Sequence, residues 1–175
     1  MWWFASNDEG RFNIPSPDGT CYLANDPVVA LKERLAAAIS GGYIDMDAYV
    51  EQTEAGVEVS LVEMPETKMA DMCHPKADKV DGITREISTY TEKGYPKTRA
   101  WAEHFHAEGF DGVTYAPRHS TGSDDRSYAL FGQNTQTGRP APHKTMTFDE
   151  VLAEGEITIK AIPSAASLEF ETPPE

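Results

Sequence analysis

Arg11, Glu33 and the run Tyr115-Ala116-Pro117-Arg118-His119-Ser120 are the places in this 175-residue chain where residue type and setting point to chemistry. Arg11 lies in Gly10-Arg11-Phe12-Asn13, a loop just ahead of a predicted strand. A guanidinium offers five donors and grips phosphate oxygens bidentately. The same residue read as ordinary surface would pair with one of the chain's 29 acids. Glu33 falls on a predicted helix, almost opposite its apolar stripe, among the uncharged Val29, Ala30 and Ala37. A carboxylate there is either solvated or looks into a pocket, where it would stabilise a sugar cation during glycosidic cleavage. Arg118 and His119 follow the end of a predicted strand, where function concentrates. They are suited to phosphate binding or proton transfer. Ser120 and Ser123 have no base arranged nearby to make a serine nucleophile.

Metal chemistry finds no support in the spacing. His104 and His106 sit two apart on one predicted helix and diverge. Cys21 and Cys73 are far apart and read as two reduced thiols of a cytosolic protein. No zinc site is expected.

The elements that must position these residues follow from local signals. Residues 5–19 have loop composition. Thr20-Cys21-Tyr22-Leu23-Ala24 predicts a strand. Asn25-Asp26-Pro27 caps a helix running to about Ser40, where Gly41-Gly42 stops it. Its stripe of Val28, Leu31, Leu35 and Ile39 faces the core. A second helix is predicted over 46–53, a half-exposed strand over 56–63 and a short helix over 65–74. Ile83 to Ser88 predicts a strand. Pro96 opens a helix that ends near Gly109, with Trp101 and Phe105 inward. Gly112 to Tyr115 and Tyr128 to Phe131 predict strands. A last helix over 148–153 leads into strand character at Glu156–Ile162. The mixture lacks a βαβ rhythm, so the expected class is α+β: a single compact domain over 1–162, a mixed sheet with packed helices, and a flexible tail over 163–175.

The bulk numbers bound the function classes. A 39% hydrophobic chain of this length is one domain's worth and enough to bury a real core. The net charge of −14 repels phosphate backbones, so no nucleic-acid partner is expected, and a basic protein partner is electrostatically easier. No apolar run reaches the roughly 20 residues of a membrane helix, and the Met1-Trp2-Trp3-Phe4 start is too short for a signal peptide. A cytoplasmic protein is expected. There is no GxGxxG and no Walker loop, so any nucleotide is held without the common phosphate loops.

Three stretches together resemble a RES domain, the family named for its Arg, Glu and Ser. They are Gly10-Arg11-Phe12-Asn13 with Gly19-Thr20-Cys21-Tyr22-Leu23-Ala24; then Ala30-Leu31-Lys32-Glu33; then Trp101-Ala102, Gly109 to Tyr115, Arg118-His119 and Ala129-Leu130-Phe131-Gly132. The likeness spans roughly residues 2–132. It implies a fold resembling the ADP-ribosyltransferase core, NAD as substrate, and a toxin neutralised by an Xre-type antitoxin. Carried over, Arg11 matches the family's Arg, Glu33 its Glu, and Tyr22 the aromatic between them. The serine position holds Pro117, with Ser120 three residues on, and the strand usual ahead of Trp2-Trp3-Phe4 is missing.

The expectation is then an NAD glycohydrolase or phosphorylase without metal. Arg11 holds the pyrophosphate, Phe12 or Tyr22 stacks on a base, and Glu33 stabilises the ribose cation. Arg118, His119 and Ser120 are candidate ligand-binding residues. Two alternatives stand beside it. One is a protein ADP-ribosyltransferase. The other is a catalytically inactive interaction module, which Pro117 and the short start motivate.

Overall fold

The computed structural model describes residues 2–7, 9–35, 38–40, 42–77, 92–133, 135 and 139–161. Its main sheet has the order β1 (Gly19–Ala24), β7 (Ser127–Gly132), β6 (Gly112–Tyr115), β5 (Met69–Asp71). The first two pairings are antiparallel and β6 with β5 is parallel, so the sheet is mixed. Period-2 alternation sorts its side chains. Ala129 and Phe131 of β7 face one cluster, which also holds Phe12, Ile14, Val113 and Tyr115. Leu130 faces the other way, onto Phe4 and Cys21. Strands β7 and β6 approach so closely at Gly112 that a Cβ there would sit 2.4 Å from the Ala129 carbonyl oxygen.

Helix α3 (Pro96–Ala107) covers the first face of this sheet. Its buried Thr98 and Ala102, with Trp101 and Phe105 packed beside them, form the inward side predicted from spacing. A second core gathers Leu31 of α1 (Pro27–Leu35), Ile44 of β3 (Tyr43–Asp45) and Phe148, Val151 and Leu152 of α4 (Phe148–Glu154). Two smaller sheets frame it: β2 (Ile39–Ser40), β3 and β9 (Thr158–Lys160), then β4 (Glu58–Leu61) with β8 (Lys144–Thr147). Helix α2 (Met46–Glu54) flanks β3. The expected α+β class is therefore observed.

Helix α1 starts as expected. Asp26 Oδ1 accepts the backbone N–H of Val28 at 2.8 Å and of Val29 at 3.2 Å, and Pro27 occupies the first turn. Its described end falls earlier than expected. Ile39 and Ser40 are a strand that pairs with Ile44 and Tyr43. The chain thus turns back as a hairpin instead of carrying the helix on to Ser40, with Gly42 at φ +81°. The helix expected over 65–74 is also corrected. Its middle is strand β5, paired with β6 and locked by Asp111, whose carboxylate accepts the Lys68 N–H at 2.7 Å while its own N–H donates to the Lys68 carbonyl at 2.8 Å. Ladder partners override the local preference of so short a segment. The strand expected at 83–88 and the tail over 163–175 lie outside the described residues.

Candidate active site

The Arg11 turn is built by its neighbours. Tyr22, from β1, reaches back with its hydroxyl, which accepts the Phe12 N–H at 2.8 Å and donates to Asn13 Oδ1 at 2.9 Å. Asn13, fully buried, passes the network on to Asn7 through its amide nitrogen at 2.9 Å. Arg99 of α3 donates to the Asn13 carbonyl at 3.2 Å. Gly10 is required by this packing, because a Cβ there would fall 2.2 Å from Asn13 Oδ1. The turn so held places the Arg11 guanidinium over the Tyr115 ring, 5.8 Å from its centroid.

Glu33 is held from the far side. Its Oε1 accepts the backbone N–H of Arg118 at 2.6 Å and of His119 at 2.7 Å. Two consecutive amides on one oxygen form a small anion-binding concavity. Among the described residues, nothing bonds Oε2. Tyr115, at the end of β6, feels both charges. Burial pushes its phenol well above the ordinary range, Arg11 pulls it down and Glu33 pushes it up again. The Tyr22 phenol is also raised, by burial first, against the pull of the Phe12 amide.

Arg11, Tyr22, Glu33 and Tyr115 line one cleft of about 1050 Å³, large enough for a dinucleotide. Its walls come from the Arg11 turn, β1, α1 and the segment around β4. Helix α1 is therefore covered on both sides: Leu31 sits in the second core while Val29, on the Glu33 side, is buried as well.

The other candidates fall elsewhere. Phe12 is 0% exposed and packs on Tyr115 at 4.8 Å between centroids, so its ring has no face to offer a base. That expectation is corrected: Tyr22, 39% exposed, is the ring that faces the cleft. Arg118, His119 and Ser120 are not among the described residues that line the cleft. The side chains of Arg118 and His119 are exposed, and it is their backbone amides that meet Glu33. The Ser120 hydroxyl bonds Asp125. Pro117 is buried. Among the described residues no three His, Cys, Asp or Glu side chains gather as metal ligands, and no helix is long and apolar enough to cross a membrane.

Sequence reasoning missed several cleft residues. Tyr115 was legible only as a strand residue. Tyr95 lines the cleft with φ +47°, a left-handed conformation that a bulky residue adopts at a cost. Its signal is its place in Gly94-Tyr95-Pro96, where a residue before proline is pushed out of the helical region. Ser127 pairs with Tyr115 in the ladder and is almost fully buried at the cleft. Its hydroxyl lies near enough to the Tyr115 phenol to ease ionisation, yet makes no well-formed hydrogen bond among the described residues.

A sequence model described as the RES domain matches residues 2–149. Among curated proteins none matches the chain. Among solved structures the fold is similar to a chain in the "Crystal structure of the M.tuberculosis MbcT-MbcA toxin-antitoxin complex", with a TM-score of 0.57 and 17% identity over 84% of this chain and 76% of that one. The family match takes in the Arg11 turn, Glu33 of α1 and the main sheet that joins them, and on that match the chain belongs to the RES domain family.

Proposed function

We propose that this chain consumes NAD by cleaving the nicotinamide–ribose bond. One observation carries the reading: Arg11 and Glu33, separated by 22 positions, line a single cleft together with Tyr115. Arg11 binds the pyrophosphate, which suits a planar fork of donors. The Tyr22 ring packs on a base. The anchored Oε1 fixes Glu33, and Oε2, unbonded among the described residues, is left for the ligand.

Nicotinamide departs as a neutral base and takes the bonding electron pair with it. Positive charge then spreads over ribose C1′ and its ring oxygen, and the Glu33 carboxylate stabilises that charge. Water attacks C1′ and releases its proton to solvent, giving ADP-ribose; inorganic phosphate in place of water gives ADP-ribose 1″-phosphate. No strong general acid is needed, because the leaving group is already cationic. The test is incubation with NAD in buffer with and without inorganic phosphate, separating the products. Nicotinamide release supports the reading, and the partner product names the acceptor. Intact NAD after long incubation with folded protein removes it.

In the cell this reading makes the chain a toxin that acts in the cytoplasm, held in check by an Xre-type antitoxin. The toxin–antitoxin complex to which the structural relative belongs supports it, and so does the charge of −14, which favours a basic partner. One observation favours the inactive module instead: Pro117 is buried and Ser120 is tied to Asp125, so neither supplies a free hydroxyl. Calorimetry with NAD separates the two, since the module takes up none.

A further inference from the structure

The segment before the Arg11 turn runs beside β1. Ala5 and Thr20 exchange both backbone bonds, Ala5 N–H to the Thr20 carbonyl at 3.0 Å and Thr20 N–H to the Ala5 carbonyl at 2.8 Å. Two residues along, this antiparallel register sets Trp3 opposite Tyr22, on the same face. The intervening pair obeys it: Phe4 and Cys21 turn to the other side and pack together with Leu130. The Trp3 backbone beside the Cys21 thiol fits the same alignment.

The segment is pinned at its edges. The Trp2 indole N–H donates to the Pro140 carbonyl at 2.8 Å, and the Arg139 guanidinium lies over the Trp2 and Phe4 rings at 5.1 and 4.2 Å. Trp3 alone of these aromatics is turned out, 69% exposed, and it lines the cleft together with Tyr22. The Tyr22 ring is oriented by its hydroxyl bonds to Phe12 and Asn13. Neither ring stacks on another aromatic among the described residues. Two wet aromatic faces on opposed positions beside the Arg11 cation suit a planar ring joined to a phosphate.

We propose that Trp3 and Tyr22 form a clamp for the base at one end of the dinucleotide, with Trp3 a binding residue. This rests on NAD being the substrate, and the shared chemistry of its two ends is a flat heteroaromatic ring on a ribose phosphate. A stacked base is lost at a cost of about tenfold or more in affinity. Trp3→Ala raises the KM for NAD by about that factor, with the loss mainly in KM, and Trp3→Phe recovers most of it. AMP and nicotinamide mononucleotide, used as competing ligands, identify the end that is clamped: the one whose binding weakens in Trp3→Ala.

Because Trp3 is exposed, the variant keeps the wild-type circular dichroism spectrum. With that spectrum intact, a KM within twofold of wild type and unchanged affinity for both fragments overturn the clamp. Wild-type protein that binds a fragment through Trp3 but releases no nicotinamide keeps the clamp and removes the cleavage.

Discussion

Glu33 Oε1 accepts the backbone N–H of Arg118 at 2.6 Å and so ties α1 to the loop after β6 across 85 positions of chain. The bond makes a structural demand separate from any chemistry. Glu33→Gln keeps an acceptor oxygen for the Arg118 and His119 amides. Glu33→Ala leaves both amides to water. Thermal melts are expected to show Gln near wild type and Ala lower, by about 1 kcal/mol for the lost bonds.

Phe12 and Tyr22 are expected to separate cleanly. Phe12 fills the core, so Phe12→Ala costs about 3–5 kcal/mol and appears as a lower unfolding midpoint, not as a selective binding defect. Tyr22→Phe keeps the ring but strips the hydroxyl from the Phe12 amide and Asn13, a cost of about 1–3 kcal/mol. Denaturant titration measures both. The Tyr22 variant also loosens the Arg11 turn, so its kcat/KM for NAD falls.

Gly10→Ala tests the turn itself. The added methyl meets Asn13 at 2.2 Å, so either Asn13 or the Arg11 backbone must move. Overpacking of this kind costs about 1–3 kcal/mol, and misplacing a charged group by about an ångström costs on the order of 100-fold in rate. Nicotinamide release by Gly10→Ala is expected to drop by at least tenfold while the protein still folds at 25 °C. Full activity would show that Arg11 does not depend on the turn.

Stability should depend on pH at both extremes. Tyr22 and Tyr115 have folded pKa values raised above that of the unfolded chain, first by burial. Their contribution is whole below about pH 10 and is lost as pH rises from there through the folded values. Asp18 is lowered, first by the Gln133 amide and then by His106. Its contribution is present above the unfolded carboxylate value and fades as pH falls through the folded one. Melting temperatures across pH should therefore show a steep alkaline decline, which Tyr22→Phe reduces.

Much of this fold was legible because its signals are local. Asp26-Pro27 caps α1, Pro96 opens α3, and the apolar runs of β1, β6 and β7 announce strands whatever surrounds them. The failures are places where the partner decides. Gly41-Gly42 suits a helix stop and a hairpin equally, and the pairing of Ile39 with Ile44 chose the hairpin. β5 exists because β6 lies beside it. In the site, Arg11 and Glu33 stand out by residue type and setting, and the family resemblance is what lifts each above an ordinary surface reading. Tyr95, Tyr115, Ser127 and Trp3 come from four separate parts of the chain, and no window of sequence contains the cleft that collects them.

The most direct measurement is the rate of nicotinamide release from NAD by wild type and by Glu33→Gln at matched folding. The account predicts measurable turnover by wild type and a loss of on the order of 100-fold or more in the variant, with the melting temperature preserved. Equal rates from the two proteins would contradict it, because a carboxylate that can be neutralised without consequence does not stabilise the ribose cation.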